Sequence, residues 1–301
     1  MAQRSDTPAA GTPPAEITVD GALARRLLSA QHPDLAGLPV RPAGSGWDNA
    51  MYRLGDTLAV RLPRRAMAAK LIAHEQRWLP ELADRLPLKV PAPVRIGQPD
   101  AGYPWRWSVV PWLEGETADR AAMHVTEAAV FAEFVRALHA APPAEAPANP
   151  ARSVPLAEKA PDTQARIARL GERVPERVRQ IWADGLAAPV DTAPTWIHGD
   201  LHARNVLVAD GEIAGVIDWG DMAAGDPATD LASFWTVLPT REMRLRALAA
   251  YGGVSDATAR RARAWAAFFG IVLLDTGLAD HPQHAAMGAA ILRRLRDDPE
   301  P

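Results

Sequence analysis

The stretch Trp196-Ile197-His198-Gly199-Asp200-Leu201-His202-Ala203-Arg204-Asn205-Val206-Leu207-Val208-Ala209-Asp210-Gly211-Glu212-Ile213-Ala214-Gly215-Val216-Ile217-Asp218 decides how the rest of the chain is read. Its first half sets His198, Asp200 and Asn205 in the order H-x-D-x-x-x-x-N. Its second half places Val206-Leu207-Val208 and Ile213-Ala214-Gly215-Val216-Ile217 on either side of Ala209-Asp210-Gly211. Asp-Gly between short apolar runs predicts a β-hairpin. Such a ribbon returns Asp218 to the neighbourhood of Asn205. The spacing from Asp200 to Asn205 leaves room for a loop that turns both side chains toward one pocket.

Those residue types suit one chemistry. A carboxylate beside a hydroxyl orients it and accepts its proton as the oxygen attacks phosphorus; Asp200 is the candidate. Mg²⁺ takes hard oxygen ligands in octahedral geometry. Asn205 offers an amide oxygen and Asp218 a carboxylate. Asp, Asn, Gly and His are also ordinary turn residues. Yet this many specified positions in fixed order seldom arise by chance in 301 residues.

Upstream, residues 41–54 read as a strand, a glycine turn and a second strand. Gly44, Ser45 and Gly46, with Asn49 after them, are nucleotide-binding candidates, because glycine lets backbone N–H groups approach phosphate oxygens. A third strand, Leu58-Ala59-Val60-Arg61-Leu62-Pro63, carries the cation Arg61. A guanidinium binds phosphate bidentately but is larger and less mobile than an ammonium. Residues 66–86 follow, with Met67, Lys70, Leu71, His74, Trp78 and Leu82 at helical spacings and Glu75 among them.

The chain resembles the aminoglycoside phosphotransferase family, antibiotic and small-metabolite kinases. The resemblance rests on His198-Gly199-Asp200 with Asn205, on Ile217-Asp218-Trp219-Gly220, and on Gly225-Asp226-Pro227 with Asp230-Leu231-Ala232. It runs from about residue 41 onward. It implies an α+β, bilobal protein-kinase-like fold, with an antiparallel-sheet N-lobe at 17–111 and a mainly helical C-lobe at 112–301. It implies Asp200 as catalytic base, Asn205 and Asp218 as Mg²⁺ ligands, His198 as a structural residue and Asp230 as a buried anchor for the catalytic loop. The nucleotide is ATP or GTP. Glu75 is expected to pair with Arg61, and the hinge that reads a purine edge is expected at Val109, Val110, Pro111 and Trp112. Arg61 departs from the usual family Lys and resembles the Arg-Leu-Pro-Arg-Arg variant of macrolide kinases. A protein kinase is disfavoured: the interval from Asp218 to Asp230 is too short for an activation segment, contains no Ala-Pro-Glu, and Gly199 follows His198 where an Arg is usual.

Composition sets outer bounds. Hydrophobic residues make up 48% of the chain, enough for substantial cores. A net charge of −3 gives no support for nucleic-acid binding. The absence of cysteine rules out disulfides and agrees with a cytoplasmic location. Residues 1–16 are rich in Ala, Pro and Thr and carry no apolar core of a signal, so a disordered tail is expected. The apolar run at 264–274 is too short for a membrane span. Helices are expected at 19–31, 126–141, 161–182 with a break near Pro175, 228–237, 241–251, 256–274 and 283–296.

The expected partners are a nucleotide triphosphate and a small hydroxylated acceptor, an antibiotic of aminoglycoside or macrolide type. A metabolite acceptor (amino alcohol, sugar or nucleoside) and a non-catalytic nucleotide-binding relative are the alternatives. Cationic acceptors call for carboxylates. Asp221 and Asp226 follow the metal Asp and face the cleft in this fold, so they are the substrate candidates; Asp275 and Asp280 lie further on. Trp265, Phe268 and Phe269 have the spacing of a buried helix face.

Overall fold

The structure is a computed structural model that describes residues 14–45, 48–100 and 102–298. Gly46 and residues 1–13 of the expected tail lie outside the described residues.

The N-terminal region is a sheet with two helices. Helix α1 (Gly21–Gln31) starts where the Asp20 side chain accepts the Leu23 N–H at 2.7 Å. Strands β1 (Val40–Ser45), β2 (Asn49–Leu54) and β3 (Leu58–Pro63) precede helix α2 (Ala66–Ala83), and β4 (Arg95–Gly97) and β5 (Trp107–Pro111) follow it. The sheet runs β1-β2-β3-β5-β4 with every neighbour antiparallel. Leu27, Tyr52, Leu54, Val60, Leu62, Trp107 and Val109 fill the core between α1 and the sheet. Across the other face, Gln76 of α2 donates to the Trp107 carbonyl (2.8 Å) and to Ser108 Oγ (3.0 Å), fixing the helix on β5.

The tail expectation needs one correction at its end. Glu16 N–H donates to the Arg64 carbonyl at 2.9 Å, and Ala66 N–H donates to Glu16 Oε2 at 3.1 Å. Arg65, at the N-cap of α2, makes no side-chain cap, so Glu16 supplies the missing acceptor from a distant part of the chain.

The remainder is mostly helical. Strand β6 (Glu116–Thr117) and helices α3 (Glu127–Leu138), α4 (Ala160–Leu170) and α5 (Glu176–Ala187) lead to β7 (Thr195–Ile197), β8 (Val206–Ala209), β9 (Glu212–Val216) and β10 (Ala223–Gly225). Helices α6 (Ala228–Leu231), α7 (Ser233–Thr236), α8 (Arg241–Tyr251), α9 (Asp256–Asp280) and α10 (Pro282–Asp297) complete it. The stretch expected as one helix at 228–237 is thus two short ones, and α9 runs past its expected end at 274. Trp265, Phe268 and Phe269 are buried in the helical core, as their spacing predicts. By length and composition α9 is apolar enough to cross a membrane, but 67% of its apolar window is buried inside the protein, as in a core helix. Among the described residues, β8 and β9 are joined by Asp210 (φ 53°) and Gly211 (φ 83°), the left-handed pair that a two-residue hairpin turn demands.

Candidate active site

The loop from His198 to Asn205 is held from below. Asp230, fully buried in α6, accepts the His198 N–H at 2.6 Å and the Gly199 N–H at 2.8 Å. His198 makes the second tie. Its Nε2 donates to the Ile217 carbonyl at 3.0 Å while its Nδ1 accepts the Asp200 N–H at 3.2 Å, which assigns the proton to Nε2. The ring therefore links the loop to the strand end that carries Asp218.

Asn205 closes the arrangement. Its Nδ2 donates to the Asp200 carbonyl at 2.9 Å, and its own carbonyl accepts the Ile217 N–H at 2.9 Å. The next residue, Asp218, adopts a left-handed backbone (φ 63°, ψ 67°) and turns a side chain that is 58% exposed into the space between the regions. The Asn205 Oδ1 accepts no hydrogen bond from the described residues, and Asp218 has an oxygen left beyond its contact with Arg61. Two hard oxygens of this kind suit Mg²⁺ that shares its shell with phosphates. Among the described residues no group of three His, Cys, Asp or Glu forms a complete protein-only metal centre.

Arg61 reaches the same space from β3. Its Nη1 pairs with Glu75 Oε2 of α2, and its Nη2 lies 3.1 Å from Asp218 Oδ1. Asn49, with its amide oxygen turned to the guanidinium, accepts from Nη2 at 3.1 Å and Nε at 3.2 Å. This corrects the expectation for Asn49: its amide orients Arg61 rather than standing open to a nucleotide. Burial opposes the charge on Arg61, but Glu75, Asp218 and Asp48 more than offset it and raise its pKa.

Val109, Val110 and Pro111, expected as the hinge, form the end of β5, and Trp112 follows. Some of their backbone groups are already used: the Val109 carbonyl accepts from Val94 N–H and the Trp112 N–H donates to Thr57, both at 2.8 Å. Gly44 (φ 119°) lies at the end of β1, where a bulge interrupts the register with β2.

On the far side of Asp200 stands a residue that sequence reasoning missed. Arg152 Nη2 donates to Asp200 Oδ1 at 2.8 Å and Arg152 Nε to Asp221 Oδ2 at 3.2 Å. Asp221 Oδ1 accepts from Asn149 Nδ2 at 2.8 Å. Burial acts to raise the Asp200 carboxyl, but Arg152 first, and then His202, hold it well below the usual carboxylate range. Asp221, expected as a substrate contact, is therefore joined to Asp200 through Arg152 and is already paired. Asp226 is corrected outright. Arg261 Nε and Nη2 take its two oxygens at 2.7 and 3.2 Å, and Ala228 N–H adds a third bond at 3.0 Å, so it anchors α6 to α9 and is not open to an acceptor.

The sequence pattern of the APH phosphotransferase enzyme family matches residues 39–266. The chain belongs to the APH phosphotransferase family. It is a phosphotransferase. Solved structures place this APH-family member on a kinase-like fold. It is similar to the GDP and kanamycin complex of APH(2")-IIia, with 21% identity, a TM-score of 0.68 and coverage of 91% of this chain and 98% of that one. It is also similar to the macrolide 2'-phosphotransferase MphH from Brachybacterium faecium, with 24% identity, a TM-score of 0.58 and coverage of 93% and 98%. The ADP-bound aminoglycoside phosphotransferase APH(2'')-Ib is 18% identical, with a TM-score of 0.59 and coverage of 91% and 97%. No curated protein sequence matches the chain.

Proposed function

We propose that this enzyme moves the γ-phosphate of ATP or GTP, as the Mg²⁺ complex, to a hydroxyl of a small antibiotic-like acceptor in a cleft between lobes at 17–111 and 112–301. The carrying observation is the joining of Asp200, Asn205 and Asp218 through the bonds of Asn205 to the Asp200 carbonyl and to Ile217. Asp200 orients the acceptor oxygen and takes its proton as that oxygen attacks the γ-phosphorus. Asn205 Oδ1 and Asp218 would hold Mg²⁺, which would supply positive charge to the phosphate oxygens. Arg61, kept in line by Glu75 and Asn49, directs its guanidinium at the phosphates. Gly44 and Ser45 border the triphosphate, and the strand end around Pro111 and Trp112 borders the base. The nucleotides and antibiotics named for the similar structures support this reading.

The test is a phosphate-transfer screen with ATP and GTP across aminoglycosides, macrolides and small metabolites. Transfer that requires Mg²⁺ and is lost in Asp200→Ala is expected. Nucleotide binding with no transfer to any acceptor would overturn the assignment.

A further inference from the structure

Three of the four carboxylates considered for a polycationic acceptor are paired with arginines from within the chain, and the fourth, Asp280, lies only beside His281. Asp221 is paired with Arg152, Asp226 with Arg261, and Asp275 with Arg166 and Arg169. Of these arginines only Arg152 also touches Asp200, the carboxylate assigned to the attacking hydroxyl. We propose that Arg152 is the specificity-determining residue of the acceptor side: by holding Asp200 and Asp221 together it closes the site to acceptors bearing several ammonium groups and favours hydroxyl compounds bearing one or none.

The loop that delivers Arg152 is built for that placement. Asn149 Oδ1 accepts the Ala151 N–H at 2.7 Å and the Arg152 N–H at 3.0 Å, while Asn149 N–H donates to Ser153 Oγ at 2.6 Å. The same Asn149 donates through Nδ2 to Asp221 Oδ1, so one side chain sets both the Arg152 backbone and the Arg152 partner. Gly199 makes room for it. A Cβ there would lie 3.1 Å from Arg152 Cβ and Cγ and 2.8 Å from the Asp221 carbonyl oxygen, and the φ of +83° independently favours glycine.

A second cation stands near the guanidinium, itself among Glu158, Asp162 and Asp221. Lys159 stands close enough that Arg152, after burial, contributes to lowering its pKa. The Phe269 ring lies 5.1 Å from the Arg152 guanidinium carbon and supplies an apolar wall. A polyammonium sugar gains from unpaired carboxylates. Here it must first displace Arg152 from both partners and leave that cation without one. An acceptor with one charge or none needs no such exchange.

This inference rests on the phosphotransfer reading above, and its test keeps the two apart. Wild type, Arg152→Gln, Asp221→Asn and the double variant are compared with a polyol, a mono-ammonium amino sugar and a tetra-ammonium aminoglycoside. Calorimetric binding in the presence of Mg²⁺-nucleotide is measured alongside kcat and KM, each at low and high salt. The wild type is expected to favour the first two acceptors. In Arg152→Gln, KM and Kd for the tetra-ammonium acceptor fall by about tenfold relative to the others, the scale of one charge-assisted contact, and become salt-sensitive. The double variant loses that gain, because the freed Asp221 carboxylate is its source. Should Arg152→Gln not fold, Asp221→Asn alone is expected to weaken the tetra-ammonium acceptor further. An unchanged ranking in the variants, or a wild type that itself binds the tetra-ammonium acceptor tightest, overturns the proposal. Absence of transfer to any acceptor would count against phosphotransfer, while the binding order still judges Arg152.

Discussion

Arg61 of β3 joins Glu75 of α2 to Asp218 beyond β9, with its Nη2 3.1 Å from Asp218 Oδ1. The cation assigned to the triphosphate and the carboxylate assigned to the metal are therefore linked before any nucleotide arrives. A lysine at position 61 keeps the charge but offers one nitrogen where the fork serves Glu75, Asp218 and Asn49 at once. Arg61→Lys is expected to retain turnover and to raise the KM for nucleotide by about tenfold, the loss of one charged hydrogen bond. Steady-state kinetics with varied nucleotide check this. Complete inactivity would mean that the fork itself is indispensable.

Asp200 carries the proton in the proposed mechanism. Asp200→Ala should lower kcat by roughly 10²–10⁴-fold, the usual contribution of a general base, with little change in nucleotide affinity. Turnover like that of the wild type would remove the role.

The same residue makes a prediction about pH. Arg152, with His202 behind it, holds its carboxyl below the usual range, so the active carboxylate persists into acid. Activity is lost only as pH falls through that lowered value. Removing Arg152 takes away the largest stabiliser of the charged form, so the acid limb of kcat/KM should move to higher pH in Arg152→Gln. A limb that stays in place would show that Arg152 does not act on the base.

Asp218 is the more exposed of the two metal ligands proposed here and the one carboxylate of the pair, and among the described residues no group of three His, Cys, Asp or Glu could hold the ion instead. Asp218→Ala is expected to abolish the Mg²⁺-dependent part of nucleotide binding. Calorimetric titration with and without the ion reads it directly, and identical curves for variant and wild type would contradict the assignment.

The legible parts of this molecule are the local ones. The catalytic loop and the hairpin after it lie within one short stretch, so residue order alone places Asp200, Asn205 and Asp218 near one another. Asp230 and the Arg61–Glu75 pair were legible through the family resemblance. Arg152 was not. Its partners are 48 and 69 residues away, and an ion pair between distant loops leaves no period or spacing. The Asn149-led turn that carries it is a feature of the folded loop. Asp226 misled for the same reason. Its nearness to Asp218 suggested the cleft, while Arg261, 35 residues further on, claims it. Asn49 misled because the β2–β3 register, which pairs it with Pro63 and so sets it diagonally from Arg61, is a property of the folded sheet.

The N-terminus of α9 supplies a stability prediction. Ser255 caps the helix by accepting the Thr258 N–H at 3.0 Å, and Asp191 in turn accepts from the Ser255 hydroxyl, from Thr258 Oγ1 at 2.8 Å and from Arg261 at 3.1 Å. These donors, Ser255 first, lower the Asp191 carboxyl to about 2. In the unfolded chain an aspartate titrates near about 3.9. A carboxyl whose folded value is depressed stabilises the fold above the unfolded value, and that stability drains away as pH falls from about 4 to about 2. Asp191→Asn should therefore be less stable than the wild type at neutral pH. The two denaturation midpoints should converge as pH approaches 2. Urea titrations across that interval decide it: parallel curves would mean that the ionised Asp191 adds nothing to the anchoring of α9.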